Sequence, residues 1–172
     1  MPPPVALLAL STASPPNTLR QDEVAVAARS LLQDRFPGFD RMAPVFSTAG
    51  IETRQSAMPI DWFLEPRGWP ERTEVYLKVA VDLFVEATQK ALDEAGLTGA
   101  EVDAIVTVSS IGIATPSLEA RAMERMGFRP GAARIPVFGL GCAGGTTGLG
   151  LASKLALATP GAVVLLVVVE LC

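Results

Sequence analysis

The sequence contains no histidine and only two cysteines, Cys142 and Cys172, in 172 residues. Without histidine no Cys–His or Ser–His dyad can form inside the chain, and no histidine-ligated metal site can form either. Two cysteines, one of them the last residue, make no disulfide framework, so a reducing, cytoplasmic setting is expected. The chain carries 14 basic and 18 acidic residues, a net charge of -4. No Lys/Arg stripe stands out, which argues against a nucleic-acid partner. An anionic substrate would have to be held by local groups, not by the overall field. A secretory leader is not expected either, because Val5–Leu10 is short and Met1–Pro4 carries no Lys or Arg. Residues 135–169 hold a single charge, Lys154, but Pro160-Gly161 cuts the run and five glycines lie between Gly139 and Gly148. That stretch reads as buried strand, turn, buried helix, turn and buried strand, not as a membrane span, which needs ~20 continuous apolar residues.

What is present is a hydrophobic content of 49%, enough for one ordinary domain with a core. Val5 to Thr12 reads as a first strand and Ser14–Asn17 as a turn. Thr18 is placed to cap a helix from Leu19, with Val24, Ala27, Ala28, Leu31 and Leu32 on its apolar face and Phe36-Pro-Gly38 as its stop. Phe39 to Pro70 shows no periodicity and is expected to be irregular. Thr73 to Ala95 is a long amphipathic helix with Val75, Val79, Leu83, Ala87 and Leu92 as the buried stripe, closed by Gly96. Val102 to Val108 is a continuous apolar strand. Pro116 marks the first turn of another helix, with Leu118, Ala122, Met123 and Met126 on one face and Gly127 at its end. A strand over Arg134–Leu140, a small-residue helix over Thr146–Ala158 and a last strand over Ala162–Val169 complete the chain. Strand and helix alternate, so the expected class is α/β with a mostly parallel sheet. The chain stops just after a core strand, and is expected to be part of a larger fold.

The pattern strand, glycine-flanked Cys142, helix points to one chemistry. A helix N-terminus presents unpaired N–H groups, and a thiolate set against it is stabilised and nucleophilic. Gly141, Gly144 and Gly145 allow a sharp turn and leave room beside the sulfur for an acyl thioester. Two other readings stand beside this one. Cys142 can be a small buried hydrophobe with no chemistry. Alternatively Gly139-x-Gly141-x-x-Gly144, between a strand and a helix with Glu170 ending the next strand, matches a dinucleotide-binding fingerprint.

The run Arg134-Ile-Pro-Val-Phe-Gly-Leu-Gly-Cys-Ala-Gly-Gly145, then Gly148-Leu149, then Ala162–Cys172, resembles the nucleophile region of bacterial type III polyketide synthases, the chalcone-synthase-like family. Ser109–Ala120, with Gly112 and Pro116 at the Gly-x-x-x-Pro spacing, resembles the strand and loop before it. Ile51 and Arg54 resemble the Ile-x-x-Arg region after the first helix. The resemblance implies a thiolase-like fold, a layered α-β-α arrangement with a mostly parallel five-stranded sheet. This chain would be its N-terminal half, with residues 1–172 as one N-terminal domain and the C-terminal half absent. It implies an acyltransferase in which Cys142 accepts a starter acyl group from CoA and extends it by decarboxylative condensation with malonyl-CoA. No cofactor or metal is implied, the CoA thioesters being substrates. A homodimer is implied, with Ile113, Ala114, Thr115 and Pro116 in the interface loop; Thr115 stands where plant members carry a methionine that enters the partner's cavity. Ser110, Ile111 and Gly141 match positions beside the substrate. The family's His and Asn, which hold the malonyl carbonyl, belong to the other half; this chain has no His, and Asn17 is its only Asn. Arg41 is the one basic residue near the positions that grip CoA phosphates in plant members, and Pro44 and Thr48 stand at the others. The nearest alternative is another thiolase-fold condensing enzyme such as a ketoacyl-ACP synthase III. A remnant that only dimerises is a third reading.

Overall fold

The computed structural model describes residues 5–171. They gather into two compact units, one of residues 14–72 and one built from the N-terminal segment through Ala13 together with the chain from Thr73 onward. The smaller unit opens on β1 (Asn17–Arg20) and α1 (Gln21–Leu32), followed by the single-turn helices α2 (Phe39–Met42) and α3 (Val45–Thr48), β2 (Thr53–Ser56) and α4 (Ile60–Leu64). β1 and β2 form an antiparallel ladder with Asn17 opposite Ser56. The stretch expected to be irregular thus folds into short elements, each too brief to show a period. The expected cap at Thr18 is corrected. Thr18 lies in β1 and its hydroxyl meets the Gln55 side-chain amide across the ladder, so α1 starts two residues late, after Arg20 and without a side-chain cap. Of its expected apolar face, Leu32 is exposed.

α5 (Trp69–Ala95) leads into the larger unit. It begins four residues earlier than its periodicity suggests. Its buried line is Tyr76, Ala80, Phe84, Thr88 and Leu92, one residue on from the expected stripe, whose Val75, Val79, Leu83 and Ala87 flank it half-buried. Two large rings, Tyr76 and Phe84, lie on this line, and Phe84 is fully buried at its centre. Gly96 ends the helix at φ +67, a conformation that favours glycine. The chain then runs through β3 (Ala104–Ser109), α6 (Leu118–Met126), β4 (Ala133–Phe138), α7 (Gly144–Ala158) and β5 (Val164–Val168). Pro116 lies ahead of α6 rather than in its first turn, and Ser117 is the N-cap.

β4, β3 and β5 form one parallel sheet in that order, with Val108 opposite both Val137 and Val168. The α/β class with parallel pairing is therefore as expected. The five-stranded count is not: among the described residues three strands make this sheet, and β1 and β2 pair elsewhere. Val5 to Thr12 also forms no strand. Leu7, Leu8 and Leu10 are 73%, 60% and 76% exposed, and the segment is tied down by the Ser11 hydroxyl donating to the Ala87 carbonyl at 2.6 Å. Apolar composition permits a strand, but only a free sheet edge to pair with makes one, and no described strand edge receives this segment.

β3 is central and all six of its residues are buried. Its period-two alternation divides the core into two layers. Ile105 faces α5 and α6 with Phe84, Leu118 and Ala122, while Val106 and Val108 face α7 with Ala152 and Leu166. Each such buried side chain contributes about 1.5–3 kcal/mol of burial. The layered α-β-α order follows directly.

Candidate active site

Three chain segments meet at the C-terminal end of this parallel sheet: the exit of β3, the turn from β4 to α7 and the exit of β5. Cys142 sits in that turn, within a single 3-10 turn over Gly141–Ala143 that runs straight into α7. Its thiol is free and exposed. This excludes the buried-hydrophobe reading. Gly139 and Gly141 hold φ +83 and +53, backbone that a side chain would strain. Nothing lies within 4 Å of the Cβ positions of Gly139, Gly141 and Gly145, so the turn is open on the solvent side.

The opposite side is closed. A Cβ on Gly144 would come 2.7 Å from Val108 Cγ1, and one on Gly148 would come 2.8 Å from both Val108 Cγ2 and Leu166 Cδ1. With Ala152 these residues make a smooth face, spaced four apart, that lets α7 lie close on β3 and β5. The close approach presents the first-turn N–H groups of α7, which have no side-chain cap, just after the cysteine.

Hydrogen bonds join the three segments. The β5–β3 ladder continues one step past β5, with Val169 N–H donating to the Val108 carbonyl at 2.9 Å. The next β3 donor, Ser110 N–H, goes instead to the Glu170 carboxylate, at 2.9 Å to Oε1 and 3.2 Å to Oε2. The Ser110 hydroxyl oxygen in turn accepts from Gly141 N–H at 3.0 Å. Beneath them, the Tyr76 hydroxyl and the Ser109 hydroxyl share a buried 2.7 Å hydrogen bond. Burial first, and the negative Glu170 after it, hold the Tyr76 phenol above its ordinary pKa; the bond to Ser109 works against them.

Of the residues expected at the site, Cys142, Ser110 and Gly141 are therefore brought together. Ile111 leaves the strand end half-exposed at 50%, and Ile113, Ala114, Thr115 and Pro116 form the loop between β3 and α6. Arg121 clasps that loop, donating to the Pro116 carbonyl at 2.9 Å and the Thr115 carbonyl at 3.1 Å. Glu119 is fully buried in α6 and accepts the Ser117 hydroxyl at 2.5 Å. Arg41 is exposed on α2 in the smaller unit. Glu170 was not foreseen in this role; its signal is a single acid closing an otherwise apolar strand. Its carboxylate is engaged on Ser110, not open at a strand end as a dinucleotide site would require. Among the described residues no group of three or more His, Cys, Asp or Glu could hold a metal ion, and no helix is long and apolar enough to cross a membrane.

Comparison with known proteins settles the family. Residues 67–172, more than half of the chain, match the family described as chalcone and stilbene synthases, N-terminal domain. The chain belongs to that family. It is 38% identical over 169 residues to a 1,3,6,8-tetrahydroxynaphthalene synthase of Streptomyces peucetius subsp. caesius, covering 97% of this chain and 44% of that protein. It is 29% identical over 170 residues to an alpha-pyrone synthesis polyketide synthase-like protein of Mycobacterium tuberculosis, covering 95% of this chain and 43% of that protein. The crystal structure of 1,3,6,8-tetrahydroxynaphthalene synthase from Streptomyces coelicolor A3(2), a bacterial type III polyketide synthase, superposes with a TM-score of 0.87 at 32% identity. That match covers 95% of this chain and 48% of the other. The fold is accordingly that of the N-terminal part of a type III polyketide synthase, and the chain spans about half the length of the curated relatives it matches.

Proposed function

We propose that this chain is the nucleophile-bearing, N-terminal half of a type III polyketide synthase, with residues 1–172 as its thiolase-like N-terminal domain. The observation that carries the reading is the exposed Cys142 thiol in a glycine turn that feeds directly into α7, at the C-terminal end of the parallel sheet. The Cys142 sulfur attacks the carbonyl carbon of a starter acyl-CoA. The carbon–sulfur bond to CoA breaks, CoA leaves as the thiol, and the acyl group stays on Cys142 as a thioester. Malonyl-CoA then loses carbon dioxide, and its enolate carbon attacks that thioester carbonyl. The bond from the acyl carbon to the Cys142 sulfur breaks, and the thiolate departs, leaving a β-ketoacyl-CoA.

The groups that stabilise the enolate and the oxyanion come from the other half, a His and an Asn in the family's arrangement. The turn itself supports this division. Gly141 N–H already donates to Ser110, so it is not available to a developing oxyanion. Ser110 and Ile111 line the starter, with the Ser110 O–H proton left to donate once its oxygen has accepted from Gly141. Ile113, Ala114, Thr115 and Pro116 pack against a second copy of the protein. The protein acts in the cytoplasm on acyl-CoA and malonyl-CoA.

Intact-mass measurement after incubation with acetyl-, octanoyl- or malonyl-CoA tests the reading. The expected result is a mass gain of one acyl group on Cys142, released by hydroxylamine and missing from Cys142→Ser. A chain that gains acyl mass equally in Cys142→Ser refutes it, as does a full-length protein containing this chain that gains none with any of the three thioesters.

A further inference from the structure

The Cys142 turn is short of ordinary support. Phe138, Gly139, Leu140, Gly141, Cys142 and Ala143 are all exposed, and the two positive-φ glycines have no neighbour within 4 Å of their Cβ positions. Within this half, packing does not fix the conformation in which the sulfur is presented. Among the described residues one side-chain hydrogen bond reaches the turn from outside, beside the turn's own main-chain links. The main-chain links include Ala143 N–H to the Leu140 carbonyl at 3.2 Å and Gly144 N–H to the Gly141 carbonyl. The bond from outside is Gly141 N–H, of the residue before the cysteine, donating to the Ser110 hydroxyl oxygen.

Ser110 is itself held in an unusual way. It follows the last residue of β3, where a ladder partner would normally be a main-chain carbonyl. Instead both oxygens of Glu170 converge on its N–H. Glu170 makes no ion pair among the described residues, so its charge is not spent on a cation. A carboxylate accepting from a backbone N–H is a charge-assisted bond, stronger and more directional than a neutral one. Such a bond at the very end of a strand pins the residue that would otherwise fray first.

We propose that Glu170 and Ser110 are positioning residues for the nucleophile: Glu170 fixes Ser110, and the Ser110 hydroxyl fixes Gly141 and with it the direction of the Cys142 side chain. Neither residue exchanges a proton with the thiol. The inference rests on the reading of Cys142 as nucleophile, and two independent measurements keep the failures apart.

The first is the second-order rate of iodoacetamide alkylation at Cys142 at pH 7, mapped by peptide mass and scaled to glutathione. Ser110→Ala slows Cys142 about fivefold, the loss of one ordinary hydrogen bond's worth of positioning. Ser110→Thr, which keeps the hydroxyl, stays within about twofold of the wild type by the same reasoning. Glu170→Gln keeps the side chain's shape and one acceptor, slows the reaction less than Ser110→Ala, and has no further effect once Ser110→Ala is present. The second is amide hydrogen exchange at Gly141, protected in the wild type and in Ser110→Thr and fast in Ser110→Ala. Equal rates and equal protection in Ser110→Ala and the wild type overturn the relay. So does a Glu170→Gln effect that persists undiminished in the Ser110→Ala background, which would mean that Glu170 acts on the thiol through its field alone. A wild-type Cys142 no more reactive than glutathione, with Gly141 protection still dependent on Ser110, instead removes the nucleophile and leaves the relay standing.

Discussion

Replacing Gly148 with alanine sets two effects of opposite sign against each other in one helix. The intrinsic gain from Gly to Ala in a helix interior is about 1 kcal/mol. The new methyl carbon would lie 2.8 Å from Val108 Cγ2 and 2.8 Å from Leu166 Cδ1. Carbon–carbon contacts are at their optimum at ~3.5–4.0 Å, so the misfit against each neighbour is roughly 1 Å. Leu166 is half-buried and can change rotamer, but Val108 is fully buried on the central strand and has one stiff torsion. Overpacking of this kind costs about 1–3 kcal/mol, so Gly148→Ala is expected to destabilise the chain by about 1 kcal/mol net. Gly150, two residues on, meets nothing within 4 Å, and Gly150→Ala keeps the propensity gain. The two variants should therefore differ by about 2 kcal/mol, a separation of about 4–8 °C in Tm for a chain of this size. Urea titration followed by circular dichroism, with an unchanged slope, measures the gap. If Gly148→Ala equals or exceeds Gly150→Ala in stability, α7 does not lie on β3 and β5 as described.

Three further outcomes follow from other parts of the larger unit. Gly99→Ala drives its methyl into the Met126 carbonyl oxygen, a backbone atom that cannot rotate away, and should lower the urea midpoint more than Gly148→Ala does. Tyr76→Phe leaves the ring's contact with Gly112 intact but strands the Ser109 hydroxyl, which should cost about 1–2 kcal/mol in the same titration. The Asp103 carboxyl is held below its ordinary value of 3.8, first by Val163 N–H and then by Arg129. A carboxyl with a depressed folded-state pKa adds stability above its unfolded value and loses it as the pH falls through the folded one. Asp103→Asn should thus be less stable than the wild type at pH 7, and the difference should close below pH 3.8 in thermal melts across pH. A gap that stays constant down to pH 2 would remove the carboxylate from the account.

Much of the α/β order was readable because its signals are local and repeated. α7 and β3 announce themselves by small-residue spacing and by an unbroken apolar run, and Cys142 by the glycines around it. What was misread depended on partners distant in sequence. Thr18 has the chemistry of a cap, but Gln55, 37 positions away, draws it into a ladder. Val5 to Thr12 has the composition of a strand and no edge to join. The stripe on α5 shifted by one residue because its two large rings, Tyr76 and Phe84, outweigh the average of several smaller apolar side chains. Glu170 looked like a ribose-binding acid from spacing alone, and only the register of β5 against β3 brings it to Ser110.

The smooth face of α7 also sets where this protein can change. Towards the sheet, Gly144 and Gly148 leave no space for even one more carbon, and in the turn Gly139 and Gly141 are bound to glycine by their dihedral angles. Gly145 is the exception, free of neighbours and of positive φ. Within the turn itself, Gly145 and the exposed side chains of Phe138 and Leu140 are the positions left free by this half. Libraries in this turn should be spent on those three positions, since the floor beneath the cysteine admits no diversity.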